Sequence, residues 1–244
     1  MMGITVLAAD GMPEVEQGAD LPAMIAASAE LRDGDVVVVA QKVVSKAEGR
    51  VRRLSDVEPG PQAQRIAEQL DRDPRLVQVV LDESVRVVRE RGALIVETRH
   101  GFVCANAGVD QSNVPGTDCV TLLPEDCDRS AAGIREGLRA LTGKEVAVIV
   151  ADTFGRAWRT GIVNVALGVA GMAALVDHRG RPDDYGREMH ATVLAVADEL
   201  AAAAELTMGK TRRVPVALIR GYVDEGPPGS GRDLLRDAEH DLFR

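Results

Sequence analysis

A mixed α/β fold is what the 244-residue chain predicts. Short runs rich in β-branched residues, such as Val36-Val37-Val38-Val39, alternate with segments whose apolar residues recur at helical spacing. The length allows one large domain or two small ones with a sizeable core. Repeats, low-complexity tracts and long linkers are absent from the sequence, so 1–244 reads as a single domain, with two lobes that share strands.

The elements follow in order. Gly3–Ala9 and Asp35–Ala40 read as strands flanking a helix near Leu21–Leu31, which is entered through Asp20 and carries Pro22 in its first turn. Pro61–Leu70 reads as a second helix. Val85–Arg89, Leu94–Arg99 and Phe102–Asn106 read as strands, the last two joined by a tight turn at His100-Gly101. A helix near Arg129–Thr142 has Asp128 before it and Gly143 after it, a capped start and a glycine stop. The strand Val146–Ala151 follows. Gly161–Val176, apolar and glycine-rich, suits paired inner strands better than a helix. Ala191–Met208 is an alanine-rich helix, Val214–Arg220 a late strand and Arg232–Phe243 a short polar terminal helix.

Composition excludes several classes of function. A net charge of −9 with 27% charged residues describes a soluble acidic protein, which argues against binding nucleic acid in bulk or an anionic membrane. One Trp, two Tyr and three Phe leave little for base stacking. The three cysteines form no CxxC pair and point to reduced thiols in the cytoplasm. No export signal opens the chain, and the weakly polar stretch Ile162–Val176 is too short to span a bilayer.

The most informative segment is Ala147-Val148-Ile149-Val150-Ala151-Asp152-Thr153-Phe154-Gly155-Arg156. Five apolar residues make a buried strand, and an acid, a hydroxyl, a glycine and an arginine then arrive within five positions. Ligands of α/β proteins collect at the carboxyl ends of strands. A metal-bound phosphate needs a carboxylate and a hydroxyl for the cation and an arginine fork for phosphate oxygens. The competing reading makes Asp152 a strand-end residue that caps the next turn. A second acid cluster, Asn106-Ala107-Gly108-Val109-Asp110-Gln111-Ser112-Asn113, offers oxygen ligands at Asp110 and Asn113 after a sharp turn at Gly108, or is simply an Asx-rich turn.

Gln41-Lys42-Val43-Val44-Ser45-Lys46-Ala47-Glu48-Gly49-Arg50 follows a strand and holds two of the four lysines, at 42, 46, 144 and 210. Lys46 or Arg50 suits a phosphate, and a solvated basic turn is the alternative. Met208-Gly209-Lys210-Thr211 fails as a P-loop, because Ala204 stands at the first glycine and the segment ends a helix instead of starting one. GxGxxG after a strand, HExxH and GxSxG are all missing. His178 beside Asp177 is the one histidine of interest, and Trp158 either packs over a strand edge or walls a substrate pocket.

Taken together, the segments resemble one family, the coenzyme F420-0:L-glutamate ligases, also called F420-0:γ-glutamyl ligases. The resemblance covers nearly the whole chain. It rests on Gly11-Met-Pro-Glu-Val15, Lys42-Val-Val-Ser-Lys-Ala-Glu-Gly-Arg50, Gly108-Val-Asp-Gln-Ser-Asn113 and Asp152-Thr-Phe-Gly-Arg156. Asn164-Val-Ala-Leu-Gly-Val-Ala-Gly171, Asp184-Tyr-Gly-Arg187 and Ala197-Asp-Glu-Leu-Ala-Ala-Ala-Ala-Glu-Leu206 complete the set in the same order.

The resemblance implies a GTP-dependent ligase that adds L-glutamate to the deazaflavin precursor F420-0, first through its α-amine and then by γ-linkage. It implies magnesium or manganese, two ions per site, with potassium stimulation. It also implies an uncommon two-lobed α/β fold and an intertwined homodimer. Residue by residue, it makes Asp110, Asp152 and Thr153 metal ligands, and places Met12, Pro13, Glu14, Val15, Gln41, Lys46 and Asn113 on GTP. Asp152, Lys46 and Arg156 would act in the chemistry, and Arg156, Arg159 and Arg187 are candidates for gripping a carboxylate.

The sequence departs from the family pattern in two places. Gln41 stands where some relatives have Ser, and Lys210 stands where some offer a glutamine near the second metal. Some relatives continue past an ending similar to Asp241-Leu-Phe-Arg244 into a nitroreductase-like domain, and no such domain is expected within 1–244. Two rivals stay open: a ligase or kinase of the same chemistry on another carboxylate, and a nucleotide- or metal-binding regulatory module without turnover.

Overall fold

Four consecutive valines followed by alanine cannot expose either face to water, so Val36–Ala40 must lie at the centre of a sheet covered on both sides. The structure, a computed structural model that describes residues 3–111 and 118–241, places it there. In chain order the first half contains β1 (Thr5–Ala8), α1 (Leu21–Ser28), β2 (Val36–Ala40), α2 (Gln41–Ala47) and β3 (Val51–Arg53). Next come α3 (Pro61–Leu70), α4 (Pro74–Asp82), β4 (Ser84–Arg91), β5 (Ala93–Thr98) and β6 (Val103–Ala105). The second half contains β7 (Cys119–Thr121), α5 (Cys127–Thr142), β8 (Ala147–Arg156) and β9 (Arg159–Ala170). Short β10 (Val176–Asp177) and β11 (Val193–Leu194), then α6 (Val196–Met208) and β12 (Val216–Arg220), complete it.

The main sheet runs β1-β12-β2-β8-β9. Only β2 and β8 are parallel, with Val36 opposite Ala147 and Ala40 opposite Ala151; the other pairs are antiparallel. Strand alternation sorts its residues between two cores. Val36, Val38, Ala147, Ile149 and Ala151 pack on the alanine-rich face of α6. Val37, Val39, Val148 and Val150 pack on Leu21 and Ile25 of α1 and on Ala131, Ile134 and Leu138 of α5. The result is a three-layer lobe.

A smaller lobe packs α3 and α4 against the sheet β4-β5-β6, with Leu54, Ile66, Val80, Leu94 and Val96 in its core. Each described strand belongs to a single sheet, so packing links the lobes and no strand is common to both. Part of that packing is a small cluster of Phe102, Cys104, Leu123, Cys127 and Leu167, with Phe154 against it.

The structure revises several expected elements. The strand expected to end at Ala151 continues through Arg156, because β9 supplies hydrogen-bonding partners along its whole length. The basic segment after β2 is a helix, α2, not a turn. Helix α4, capped by Asp73 with Pro74 behind it, lies in a stretch to which the sequence assigned nothing. The cap of α5 is Asp126, which accepts from the Arg129 N–H at 3.0 Å. Asp128 instead accepts from the Val169 N–H at 2.8 Å and the Gly231 N–H at 2.6 Å, tying α5, β9 and the C-terminal segment together. The expected terminal helix is two separate 3-10 turns, Gly231–Leu234 and Ala238–His240. Helix α6 begins at Val196, because Val193–Leu194 pair with β10.

Candidate active site

The parallel neighbours β2 and β8 both end their buried runs on the same side of the main sheet, where α/β folds collect ligands. Beyond Ala40 the chain turns at once into α2. Beyond Ala151 it continues as a ribbon, with Asp152 opposite Val165 and Thr153 opposite Asn164. Asp152 therefore sits inside a strand, not at its end, and it caps no turn. Its carboxyl is partly buried, and burial pushes it up to about 6. The Thr153 N–H and the ammonium of Lys42 pull the other way, Asp110 pushes further up, and Lys210 pulls down. These four neighbours define the site's charges.

Asp110 reaches this place through a tight turn. Asn106, Ala107 and Gly108 all have positive φ, at 55°, 55° and 70°. A Cβ on Gly108 would lie 2.6 Å from a Leu123 methyl, so the turn needs glycine for both backbone and space. The Asp110 backbone is then pinned by paired hydrogen bonds to Thr121, at 3.1 and 2.9 Å. Its Oδ2 lies 2.7 Å from Lys42 Nζ.

Helix α2 supplies two ammonium groups from one face, because Lys42 and Lys46 are four residues apart. Lys46 is buried and meets the carboxylate of Glu14, which is itself mostly exposed on the loop after β1. The same loop is held to α2 by the Gly18 N–H on Ala47 O at 2.8 Å. Val15 of that loop is buried in the core beneath it, Met12 packs beside that core, and Pro13 is exposed. Gln41, only 1% exposed, accepts from Ser45 Oγ at 2.9 Å, while its Nε2 is buried without a partner among the described residues. A buried donor left unpaired costs about 1–3 kcal/mol, so the group is suited to an acceptor beyond those residues.

Thr153 Oγ1 donates to Asn164 Oδ1 at 2.7 Å and receives a hydrogen bond from the Lys210 ammonium. Lys42 and Lys210 thus meet Asp110 and Thr153, and both act on Asp152, while Lys46, one turn along α2 from Lys42, meets Glu14. Among the described residues no group of three or more His, Cys, Asp or Glu side chains is arranged to hold a metal ion. The donor types do suit a hard cation: two carboxylates close enough for Asp110 to raise Asp152, and a hydroxyl oriented by Asn164 on the next residue of the strand.

Of the residues expected here, Asp110, Asp152 and Thr153 are linked through Lys42 and Lys210, and Lys46 and Gln41 lie on α2, with the loop that carries Glu14 against that helix. Asn113 lies outside the described residues. Arg156 is not brought in: it sits four residues along the ribbon from Asp152, about 13 Å, and donates to Thr160 O at 2.9 Å near the exposed tip. Arg50 is committed to Glu83 at 2.8 Å and Leu123 O at 3.0 Å, so it is not a free phosphate fork. Trp158 is 79% exposed at the ribbon's turn. Lys42 and Asn164 were not singled out from sequence. The spacing of Lys42 from Lys46 would have revealed the first had the segment been read as a helix; the second needs the β8–β9 register.

The fold and site define a class: an α/β protein with lysines and two aspartates gathered at the carboxyl end of the one parallel strand pair among its described residues. The sequence model of the family described as F420-0:Gamma-glutamyl ligase matches residues 11–221. A relative from Methanothermobacter thermautotrophicus named Coenzyme F420:L-glutamate ligase is 46% identical over 252 residues, covering 100% of both chains. Relatives with that name from Methanopyrus kandleri and Haloarcula marismortui are 45% and 46% identical, covering 100% and 98% of this chain and 100% and 95% of their own. The chain belongs to the F420-0:γ-glutamyl ligase family.

Proposed function

We propose that the chain is a GTP-dependent ligase that joins L-glutamate to coenzyme F420-0 by an amide bond and then adds glutamate by γ-linkage, in coenzyme F420 biosynthesis. The observation that carries this reading is the placing of Lys42 on Asp110 and Lys210 on Thr153, both acting on Asp152, in a chain whose full-length relatives are named coenzyme F420:L-glutamate ligase.

Amide formation from a free carboxylate needs activation. A carboxylate oxygen of F420-0 attacks the γ-phosphorus of GTP, the bond to the β,γ-bridging oxygen breaks, and GDP leaves an acyl phosphate. The neutral glutamate amine attacks the acyl carbon, phosphate departs, and the amine loses a proton to solvent. In this reading the Lys46 and Lys42 ammonium groups offset negative charge spreading over phosphoryl oxygens. Glu14 holds Lys46 until a phosphate replaces it. The Gln41 amide would offer its Nε2 hydrogens to an acceptor on the nucleotide, and the loop Met12–Val15, whose Glu14 meets Lys46, would lie along it. Asp110, Asp152 and Thr153 would hold magnesium or manganese, which when bound supplies further charge neutralisation at the phosphates.

Potassium stimulation, a homodimer and a cytoplasmic location are parts of the same proposal. Exchange of potassium for sodium, light scattering and cell fractionation test them. Among the described residues no helix is long and apolar enough to cross a membrane. The central test incubates the chain with F420-0, L-glutamate, GTP and Mn2+, and follows product mass and GDP. Asp152→Ala is expected to lower glutamate-dependent GDP release by about 100- to 1,000-fold. Near-normal turnover by that variant would refute the assignment of Asp152, and no glutamylated product from the native chain would refute the ligase.

A further inference from the structure

We propose that Arg72 is the positioning residue of Asp110: its guanidinium grips the side chain of Asn106 and holds a left-handed turn in the conformation that sends the Asp110 carboxylate to Lys42. The part Asp110 plays in the chemistry rests on the ligase reading above; the hold of Arg72 on the turn does not.

The turn runs against the preference of its own residues. Asn106, Ala107 and Gly108 have positive φ in succession, at 55°, 55° and 70°. Glycine enters that region freely, asparagine tolerates it and alanine rarely adopts it. Such a backbone persists only where its surroundings over-determine it. From below, Ala107 and Val109 are buried in the small-lobe core with Ile66 of α3 and Val77 of α4. The Val109 N–H donates to Asn106 O at 2.8 Å and closes the turn. From the side, Arg72 Nη1 donates to Asn106 Oδ1 at 2.9 Å, at the point where β6 ends and the turn begins.

Arg72 can act as an anchor because its own backbone is fixed. Its N–H donates to Ala67 O at 3.0 Å, past Asp71 at φ 52°. The next residue, Asp73, caps α4 by accepting from the Arg75 N–H at 2.8 Å. At the other end of the turn, Asp110 exchanges backbone hydrogen bonds with Thr121, and its Oδ2 lies 2.7 Å from Lys42 Nζ. The turn thus carries a small-lobe residue onto α2 of the large lobe. Releasing it at Asn106 lets Asp110 wander, and a displacement of about 1 Å at a reacting group can cost up to about 100-fold in rate.

The test follows amide hydrogen exchange residue by residue on the full chain, beside glutamate-dependent GDP release. In Arg72→Ala, exchange at Val109, Asp110 and Thr121 is expected to quicken about 10-fold. Arg72→Lys still donates to Asn106 and is expected to stay near native. Asn106→Gly accepts positive φ freely and removes only the handle, so it should quicken the same amides without a lower melting temperature. The double variant should match either single one, because both break one contact. Arg65→Ala, which removes an exposed ion pair between α3 and Glu90, is the control and should exchange as native at all three amides. In turnover, Arg72→Ala and Asn106→Gly are expected to lower kcat about 10- to 100-fold, with most of it restored in Arg72→Lys. Arg72 is exposed, so its variants should melt with the native chain. Native exchange at Asp110 and Thr121 in both single variants, additive effects in the double, or quickened exchange with native kcat would each overturn the proposal. A native chain that releases no GDP overturns the ligase reading, and the exchange rates then decide the hold of Arg72 alone.

Discussion

Replacing Gly168 with alanine adds one methyl group where no space exists. Gly168 lies on β9 opposite Val150, two residues before Asp152 in β8. A Cβ there would stand 2.1 Å from the Cys127 carbonyl oxygen, 2.2 Å from its carbon and 2.7 Å from the Asp128 nitrogen. These are backbone atoms in the first turn of α5, so no side-chain rotation relieves the contact, and the helix must retreat by about 1 Å to restore van der Waals spacing. Such a retreat stretches the bonds from the Val169 and Gly231 N–H groups to Asp128, now 2.8 and 2.6 Å, beyond hydrogen-bonding range. Overpacking costs about 1–3 kcal/mol, and the two lost bonds about 1 kcal/mol each, for a total of about 3–5 kcal/mol. At about 2.1 cal/mol/K per residue, a chain of 244 residues loses about 2 °C of melting temperature per kcal/mol, so the fall is about 6–10 °C. Thermal melts and urea unfolding measure it. The control is Gly133→Ala on the same helix, where a Cβ meets nothing within 4 Å. There the better helix former should stabilise by about 0.5–1 kcal/mol. A Gly168→Ala protein melting within about 2 °C of native, or both variants shifting in the same direction, would refute the close approach of α5 to β9.

Asp128→Ala should cost about 2–3 kcal/mol by stranding the Val169 and Gly231 N–H groups, whereas Asp128→Asn keeps an acceptor and should cost less than about 1 kcal/mol; equal urea midpoints would show that the carboxylate holds neither. Asn164→Ala frees the Thr153 hydroxyl to rotate and should weaken Mn2+ binding about 10- to 100-fold, with an unchanged titration arguing that Thr153 is no ligand. Burial pushes the Cys104 and Cys127 thiols up to about 12 from an ordinary 9.0, so at pH 8 an aromatic disulfide reagent should modify only the partly exposed Cys119 in the native chain and all three after unfolding. Between pH 9.0 and about 12 the unfolded chain releases thiol protons that the fold retains, so stability should fall as pH rises. Rapid native modification of three thiols would contradict that burial.

Local patterning carried most of the fold. Val36–Ala40 and Ala147–Ala151 read as buried strands because a run apolar on both faces has no other stable place. Pro61–Leu70 was legible to the residue, since proline opens it and its apolar positions keep helical spacing. Helix boundaries slipped where two acids competed for one cap, as Asp126 and Asp128 do before α5. Helices α2 and α4 went unread because each is short and begins straight from a strand or a turn.

Sequence by itself determined the class of fold, the family, and the acids and lysines available for phosphate chemistry, because residue type and local period are properties of the chain. Tertiary structure decided which of them meet. It carried Asp152 into a paired ribbon, faced Thr153 with Asn164, set Lys42 on Asp110 and Lys210 on Thr153, and left Arg156 near the ribbon's tip. Those meetings depend on strand register and on contacts between residues tens of positions apart, which hydrophobic periodicity does not encode.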